Sequence, residues 1–243
     1  SYFKSSVGGY HAVKLRRYDD LINEYFYSQS PERQQQIPEI LNMLNTKYVI
    51  GGSAQEPQVQ MNPLANGNAW FVSDVKFVNT PNEEIDQIGK TITKRTAIVN
   101  SDDKAYFNGK TMAQDSTATI QLTKYVADEL EFRTNSKTPQ LAVFSEIYYP
   151  LGWKVSVDGK EVDYIKANYL LRAVHVPAGQ HTIKMIFDPQ VLHTGKTISM
   201  IVTALFIILA IAGLLFLYKS RRRKEEEVRR CFNQVLICLS IFK

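Results

Sequence analysis

The chain has 243 residues, of which 44% are hydrophobic and 22% charged, enough apolar material for one large domain or two small ones. Its net charge of +5 sits entirely at the end: residues 1–197 hold 21 Lys+Arg and 21 Asp+Glu, residues 198–218 hold none, and residues 219–243 hold 8 Lys+Arg and 3 Glu. The folded part therefore offers no basic footprint for nucleic acid, and with both cysteines, Cys231 and Cys238, in the tail, a disulfide-built fold is excluded.

The first fifty residues read as mostly helical. Leu21 with Tyr25 and Ile22 with Phe26 fall at helical spacing within Arg17–Tyr27. Ser30-Pro31 makes a helix opening, with Ser30 as N-cap and Pro31 at the first helical position. Pro38 is expected to interrupt that helix or to start another, and Ile40, Leu41 and Leu44 form an apolar stripe. Lys47–Ile50 reads as a short strand stopped by Gly51-Gly52, followed by a polar loop over 53–68. Trp70–Val78 returns to strand composition. Thr80 and Glu83 fit a capping box, opening a short helix that is expected to close at Gly89. Thr96–Val99 is another strand.

From about Thr117 the pattern becomes one of short strands: Thr117–Lys124, Leu130–Thr134, Gln140–Glu146, Trp153–Val157, Leu170–Val176 and Thr182–Phe187. Trp153, Val155 and Val157 alternate onto one face, as do Ile183, Met185 and Phe187. Asp158-Gly159 is a tight-hairpin signal and Pro177-Ala178-Gly179 a second turn. Regularly spaced short strands predict an antiparallel sandwich. Ile198–Tyr218 then gives 21 residues without charge or proline, the length of a membrane-spanning helix rather than of a buried core helix. Lys219–Lys224 places five basic residues in six positions. By the positive-inside rule the C-terminus is cytoplasmic and residues 1–197 lie outside; a tail-anchored protein with a cytosolic domain is the competing arrangement, and it contradicts that bias. No signal peptide is seen near Ser1, so an upstream part of a longer, polytopic protein is expected to carry the domain across. Val228–Lys243 is too short to span and reads either as a helix lying at the membrane surface or, equally, as non-native sequence at the end of a fragmentary reading frame.

Catalytic signatures are sparse. There is no phosphate-binding glycine loop and no nucleophile elbow. His11, His175, His181 and His193 are scattered; His175 and His181 flank a turn and are placed to face each other across a hairpin, without the further ligands a metal needs. The carboxylate pairs Asp19-Asp20, Glu83-Glu84, Asp102-Asp103 and Asp128-Glu129 are adjacent, do not face each other on a helix or strand, and are expected to be mostly solvated. The cluster of interest is Tyr148-Tyr149-Pro150-Leu151-Gly152-Trp153. Its aromatic faces either fill the sandwich core or stack on sugar rings.

Phe144–Pro189 carries Tyr149-Pro150, Gly152-Trp153, Asp158-Gly159-Lys160, Asn168-Tyr169, Arg172-Ala173-Val174 and Val176-Pro177-Ala178-Gly179 with His181. Together with Leu44-Asn45 into Lys47-Tyr48-Val49-Ile50, and Asn62-Pro63 to Ala69-Trp70-Phe71-Val72, this set resembles the C-terminal outer domain of YfhO-like bacterial membrane proteins over about residues 1–224. The resemblance implies a polytopic inner-membrane protein of the lipid-carrier-dependent glycosyltransferase type, acting on cell-envelope glycans or lipids. Its acidic catalytic loops would lie among membrane helices that have no counterpart here, so no catalytic residue is carried over.

The expected fold is α+β: a mixed α/β extracytoplasmic segment over 1–115, an antiparallel β-sandwich over 116–192, a transmembrane helix over 198–218 and a basic cytoplasmic tail over 219–243. The expected function is that of a non-catalytic accessory domain and anchor at the bacterial cytoplasmic membrane. Its expected partners are the lipid bilayer, the N-terminal membrane domain of the same protein and a glycan or lipid-linked sugar, with no nucleic acid, no cofactor and no metal. Tyr148, Tyr149 and Trp153 are the expected sugar-stacking residues. A membrane-anchored carbohydrate-binding or adhesion module, and a scaffold packing on its own membrane domain, are the alternatives.

Overall fold

The computed structural model describes residues 6–7, 15–53 and 55–241, the last stretch from 231 by its backbone alone. His11 and the side chains of Cys231 and Cys238 lie outside the described residues. The chain divides into two compact units, parted between Asp188 and Pro189.

The first unit opens with α1 (Arg16–Tyr25) and α2 (Pro31–Met43). Ser30 stands at the N-cap of α2, but its hydroxyl makes no capping bond, and the fixed φ of Pro31 does the work of starting the helix. Pro38 does not break α2 as expected. It sits on the exposed side, where water can serve the Gln34 carbonyl that a proline leaves without a donor. Asn45, at φ 53°, ends the helix, and the Thr46 amide reaches back to the Leu41 carbonyl at 2.9 Å.

A hairpin follows, β1 (Tyr48–Gly52) paired antiparallel with β2 (Pro57–Met61). The expected loop over 53–68 thus contains a strand, β2; Pro57 is tolerated because it is the first residue of an edge strand. The single strand expected over Trp70–Val78 is two, β3 (Ala69–Val72) and β4 (Asp74–Val78). They part at Ser73, where the amides of Ser73 and Asp74 both donate to the Arg95 carbonyl, at 2.9 and 3.1 Å. α3 (Pro81–Lys90) then crosses over to β5 (Thr96–Asn100), which pairs parallel with β4. A crossover helix is what a parallel pair requires. Thr80 caps α3 by accepting from the Glu83 amide at 3.2 Å, while the Glu83 carboxylate reaches one residue further back than a capping box predicts, to the Asn79 amide at 2.8 Å. Gly89 does not close α3 but lies within it. A Cβ there would stand 2.6 Å from the Tyr25 hydroxyl and 2.6 Å from Gln36 Oε1, so the glycine lets α1 and α2 approach α3.

A short 3-10 turn (Ser101–Phe107) leads to β6 (Thr119–Val126), β7 (Glu129–Ser136), β8 (Gln140–Ile147), β9 (Trp153–Val157), β10 (Lys160–Glu161), β11 (Ile165–Ala167), β12 (Leu171–Val176) and β13 (Gly179–Phe187). They form two antiparallel sheets, β10-β9-β13-β7-β6 and β11-β12-β8-β3. Phe132, Phe144, Val155, Val174, Ile183 and Met185 fill the space between the sheets. The other face of the four-stranded sheet, through Trp70, Leu141, Val143, Leu171 and Ala173, packs on the helices and β5. Burial on both faces explains the unbroken apolar run Leu141–Phe144, where alternation gives no signal.

Asp158-Gly159 makes the expected tight turn, with φ of 51° and 80°. Asn168, at φ 49°, lashes the sandwich to β5: its amide donates to the Ile98 carbonyl at 2.7 Å and its Oδ1 accepts from the Ile98 amide at 2.8 Å. Beside it, Arg17 donates to Glu84 at 2.7 Å and to the Tyr169 carbonyl at 2.9 Å, and lies 4.6 Å over the Tyr169 ring. Glu84 is therefore not solvated. It is 1% exposed, held by Arg17 and by the Asn100 amide nitrogen at 2.8 Å.

The second unit is one helix, α4 (Gln190–Ile241). It starts eight residues before the apolar stretch and runs on through the basic residues. Its apolar side chains are exposed, Phe206 at 70% and Phe216 at 73%, where the core helix of a soluble protein would hide them. α4 is long and apolar enough over Gln190–Arg230 to be a membrane span. The architecture is thus α+β with antiparallel sheets, followed by one candidate membrane helix.

Candidate functional site: an arginine among aromatic rings

β8 ends at Ile147, and the Tyr148 amide donates to the Leu170 carbonyl at 2.7 Å. The chain then turns through Pro150-Leu151-Gly152, with Gly152 at φ 116°, and re-enters the second sheet at Trp153. A glycine is required at that φ. The three expected residues are brought together on this turn, all half-buried. Trp153 lies 5.3 Å from the Phe187 ring, Tyr149 lies 6.4 Å from the same ring, and Tyr148 packs on Tyr164 at 5.5 Å. The Tyr164 hydroxyl ties the turn down by donating to the carbonyls of Tyr149 (3.2 Å) and Trp153 (3.4 Å).

At the centre stands Arg172. It shares a strand face with Val174 and Val176, so it points between the two sheets. The register of β12 against β8 shifts between Leu171 and Arg172, a bulge that brings the Ile147 carbonyl within 3.0 Å of Arg172 Nε. The guanidinium lies 4.0 Å over the Trp153 ring and its Nη1 is 3.6 Å from Met185 Sδ. The side chain is 3% exposed. One face of the indole is thereby taken, leaving only the other for a stacked ring.

Burial lowers the affinity of Arg172 for its proton, against the field of Glu146. Burial also lifts the Glu146 carboxyl above the usual carboxylate range, opposed by Arg172. The charge of Glu146 in turn raises the Tyr125 phenol, and burial raises that of Tyr164. Among the described residues Glu146 and Arg172 influence each other without a direct ion pair. The group is thus a carboxyl, a guanidinium and the rings of Tyr125, Tyr148, Tyr149, Trp153, Tyr164 and Phe187. Half-buried rings of this kind are able to stack on hydroxyl-rich rings, with the buried Arg172 as their brace rather than as a ligand contact. Arg172 was visible in the sequence only as part of the Arg-Ala-Val run. The signal that could have singled it out is its parity with two inward-facing valines.

Away from this cluster, a concavity of about 750 Å³ is lined by Tyr106, Lys110, Asp158, Asp163, His175 and His181 among others. The two histidines do not face each other across a hairpin: Pro177-Ala178-Gly179 joins strands of different sheets. His175 Nε2 meets the Thr111 carbonyl at 2.9 Å. His181 sits between the Asp158 carboxylate (2.6 Å, Nδ1) and the Ala178 carbonyl (3.1 Å, Nε2). Two acceptors on one imidazole favour its doubly protonated form, and the Asp158 hydrogen bond raises its pKa. The Tyr106 hydroxyl is spent on the Asp163 carbonyl and the His175 amide, and Lys110 covers the Tyr106 ring. These groups serve the fold. Among the described residues no cluster of three or more His, Cys, Asp or Glu is placed to hold a metal.

An α+β domain followed by a helix able to cross a bilayer defines a membrane-associated protein. Residues 87–199 match the family model described as bacterial membrane protein YfhO, a stretch that spans the whole aromatic cluster and the start of α4. Over this stretch the chain is similar to YfhO-like membrane proteins. No curated protein and no solved structure matches it.

Proposed function

We propose that this chain is the extracytoplasmic accessory domain and membrane anchor of a polytopic envelope glycosyltransferase, with Tyr148, Tyr149 and Trp153 as its sugar-facing platform. One observation carries the site: the aromatic turn is bonded to Asp188, the last residue of the first unit, two residues before α4 begins. The Asp188 amide donates to the Gly152 carbonyl at 2.7 Å, and Lys154 Nζ meets Asp188 at 2.8 Å. The platform is thereby tied to the segment of chain that leads into α4, the candidate membrane helix. The basic run Lys219–Lys224 supports an outside position for the domain. The YfhO resemblance supports the glycosyltransferase context, with catalysis residing in membrane segments beyond these residues.

The test uses the full chain in lipid nanodiscs, titrated with chitobiose and cellobiose and followed by tryptophan emission. Trp153 reports on the turn, while Trp70 is buried and donates to the Thr93 carbonyl at 2.9 Å. A saturable change that is lost in Tyr149→Ala, with the unfolding midpoint unchanged, supports the platform. No response to either disaccharide overturns it. The scaffold reading is favoured by one observation, the bracing of Trp153 by Arg172 and Phe187, and it predicts that same lack of response together with failed assembly of the parent protein.

A further inference from the structure

Among the described residues nothing covers one apolar face of the β1–β2 hairpin. In its register Tyr48 stands opposite Met61, Ile50 opposite Val59, and Gly52 opposite Pro57. Cross-strand partners share a face, so these side chains form one surface. The alternate positions pair Val49 with Gln60 and Gly51 with Gln58, a largely polar surface on the other side. An amphipathic hairpin in a folded domain normally turns its apolar face inward. Here that face is open: Tyr48 is 60% exposed, Ile50 72%, Val59 63% and Met61 71%.

The hairpin is firmly rooted. Asn62 donates from its backbone to the Lys47 carbonyl at 2.8 Å, and from its side chain to Asn42 at 2.9 Å and to the Thr46 carbonyl at 3.0 Å. The face is therefore presented at a set position on the end of α2. Two strands without a third element over them are only marginally stable in water, which makes a covering partner the natural state of this one.

We propose that this face lies in the interfacial layer of a lipid bilayer, with Tyr48, Ile50, Val59 and Met61 down and the glutamines up. Three observations select lipid over protein. Between Lys47 and Asp74 the sequence holds a single charge, Glu56, so the hairpin and the exposed Leu64 beyond it offer no ion-pairing specificity and no barrier to a low-dielectric surface. Four side chains expose on the order of several hundred Å², the scale of a functional patch, well short of the roughly 800 Å² per partner of a stable dimer. And two residues after β13 the same chain enters a helix fit to cross a bilayer, which keeps lipid at high effective concentration. Flat immersion also leaves the open edges of the hairpin among headgroups and water, where their unpaired N–H and C=O groups are satisfied; deeper insertion would not.

The experiment places a nitroxide on a single cysteine at position 50 or 61, with position 60 as control, in the full chain carrying Cys231→Ser and Cys238→Ser. The protein is reconstituted into phosphatidylethanolamine–phosphatidylglycerol vesicles, and collision with oxygen and with a nickel chelate is measured. Labels at 50 and 61 are expected to collide several-fold more with oxygen, and several-fold less with nickel, than the label at 60. Equal nickel accessibility at all three positions overturns the proposal. So does protection at 50 and 61 accompanied by spin–spin broadening that grows with protein-to-lipid ratio, which would make the cover a second copy of the chain. All three positions are exposed, so labelling leaves the core untouched.

Discussion

Replacing Arg172 with alanine removes three supports at once. The Ile147 carbonyl loses a charge-assisted hydrogen bond, a contact worth about 1.5–3 kcal/mol. Trp153 loses the cation from its face, worth about 1–2 kcal/mol where water is excluded. Glu146, already biased towards its neutral form by burial, loses the positive field that opposes that bias. Allowing for overlap, the loss is about 3–5 kcal/mol, the range seen when one partner of a buried charged arrangement is deleted. Urea unfolding of the full chain in detergent, followed by tryptophan emission, reads this as a fall in midpoint at unchanged slope. Arg172→Lys should recover less than half, because an ammonium cannot lie flat on the indole while donating to the carbonyl. Glu146→Gln in the Arg172→Ala background should restore part of the loss. A midpoint for Arg172→Ala within about 1 kcal/mol of the parent, or a lysine variant equal to it, would refute the bracing role.

Gly89→Ala should destabilise by about 1–3 kcal/mol in the same assay, although alanine is the better helix former by about 1 kcal/mol, because the new methyl meets Tyr25 at 2.6 Å; a gain in stability would deny that contact. The His181–Asp158 couple gives a pH dependence. The folded pKa of His181 is raised above its ordinary 6.5, so its contribution is complete below that value and fades as pH climbs through the raised one. Asp158 is lowered below 3.8, so its share is complete above that value and is lost as pH falls through the depressed one. Asp158 is 53% exposed, and with solvent screening the couple is worth about 0.5–1 kcal/mol. The thermal midpoint of the parent relative to His181→Ala should therefore be higher at pH 5.5 than at pH 9, and a constant difference would count against the couple.

The parts of the fold that were legible are those set by local chemistry. The Asp158-Gly159 turn, the Thr80 cap, the alternation in β9 and β13 and the uncharged stretch of α4 are each written in a few neighbouring residues. What was illegible depends on partners far along the chain. The break at Ser73 is made by the Arg95 carbonyl, the parallel pairing of β4 with β5 by a crossover helix, and the tolerance of Pro38 by its exposure. Glu84 looked like a surface carboxylate because its partners, Arg17 and Asn100, are distant in sequence from one another. The candidate site was half visible. Tyr148, Tyr149 and Trp153 announced themselves by composition, whereas Arg172, a residue type usually at the surface, is placed inside by a bulge that no local pattern encodes.

β13 is the middle strand of its sheet, with β9 on one side and β7 on the other. It is also the strand that continues, after Asp188 and Pro189, into α4. Any tension along the tether therefore enters the sheet at its centre and is shared between two hydrogen-bonded ladders from the first moment. An edge strand in the same position could be peeled away one bond at a time. Attachment through the centre engages two ladders where attachment through an edge would engage one.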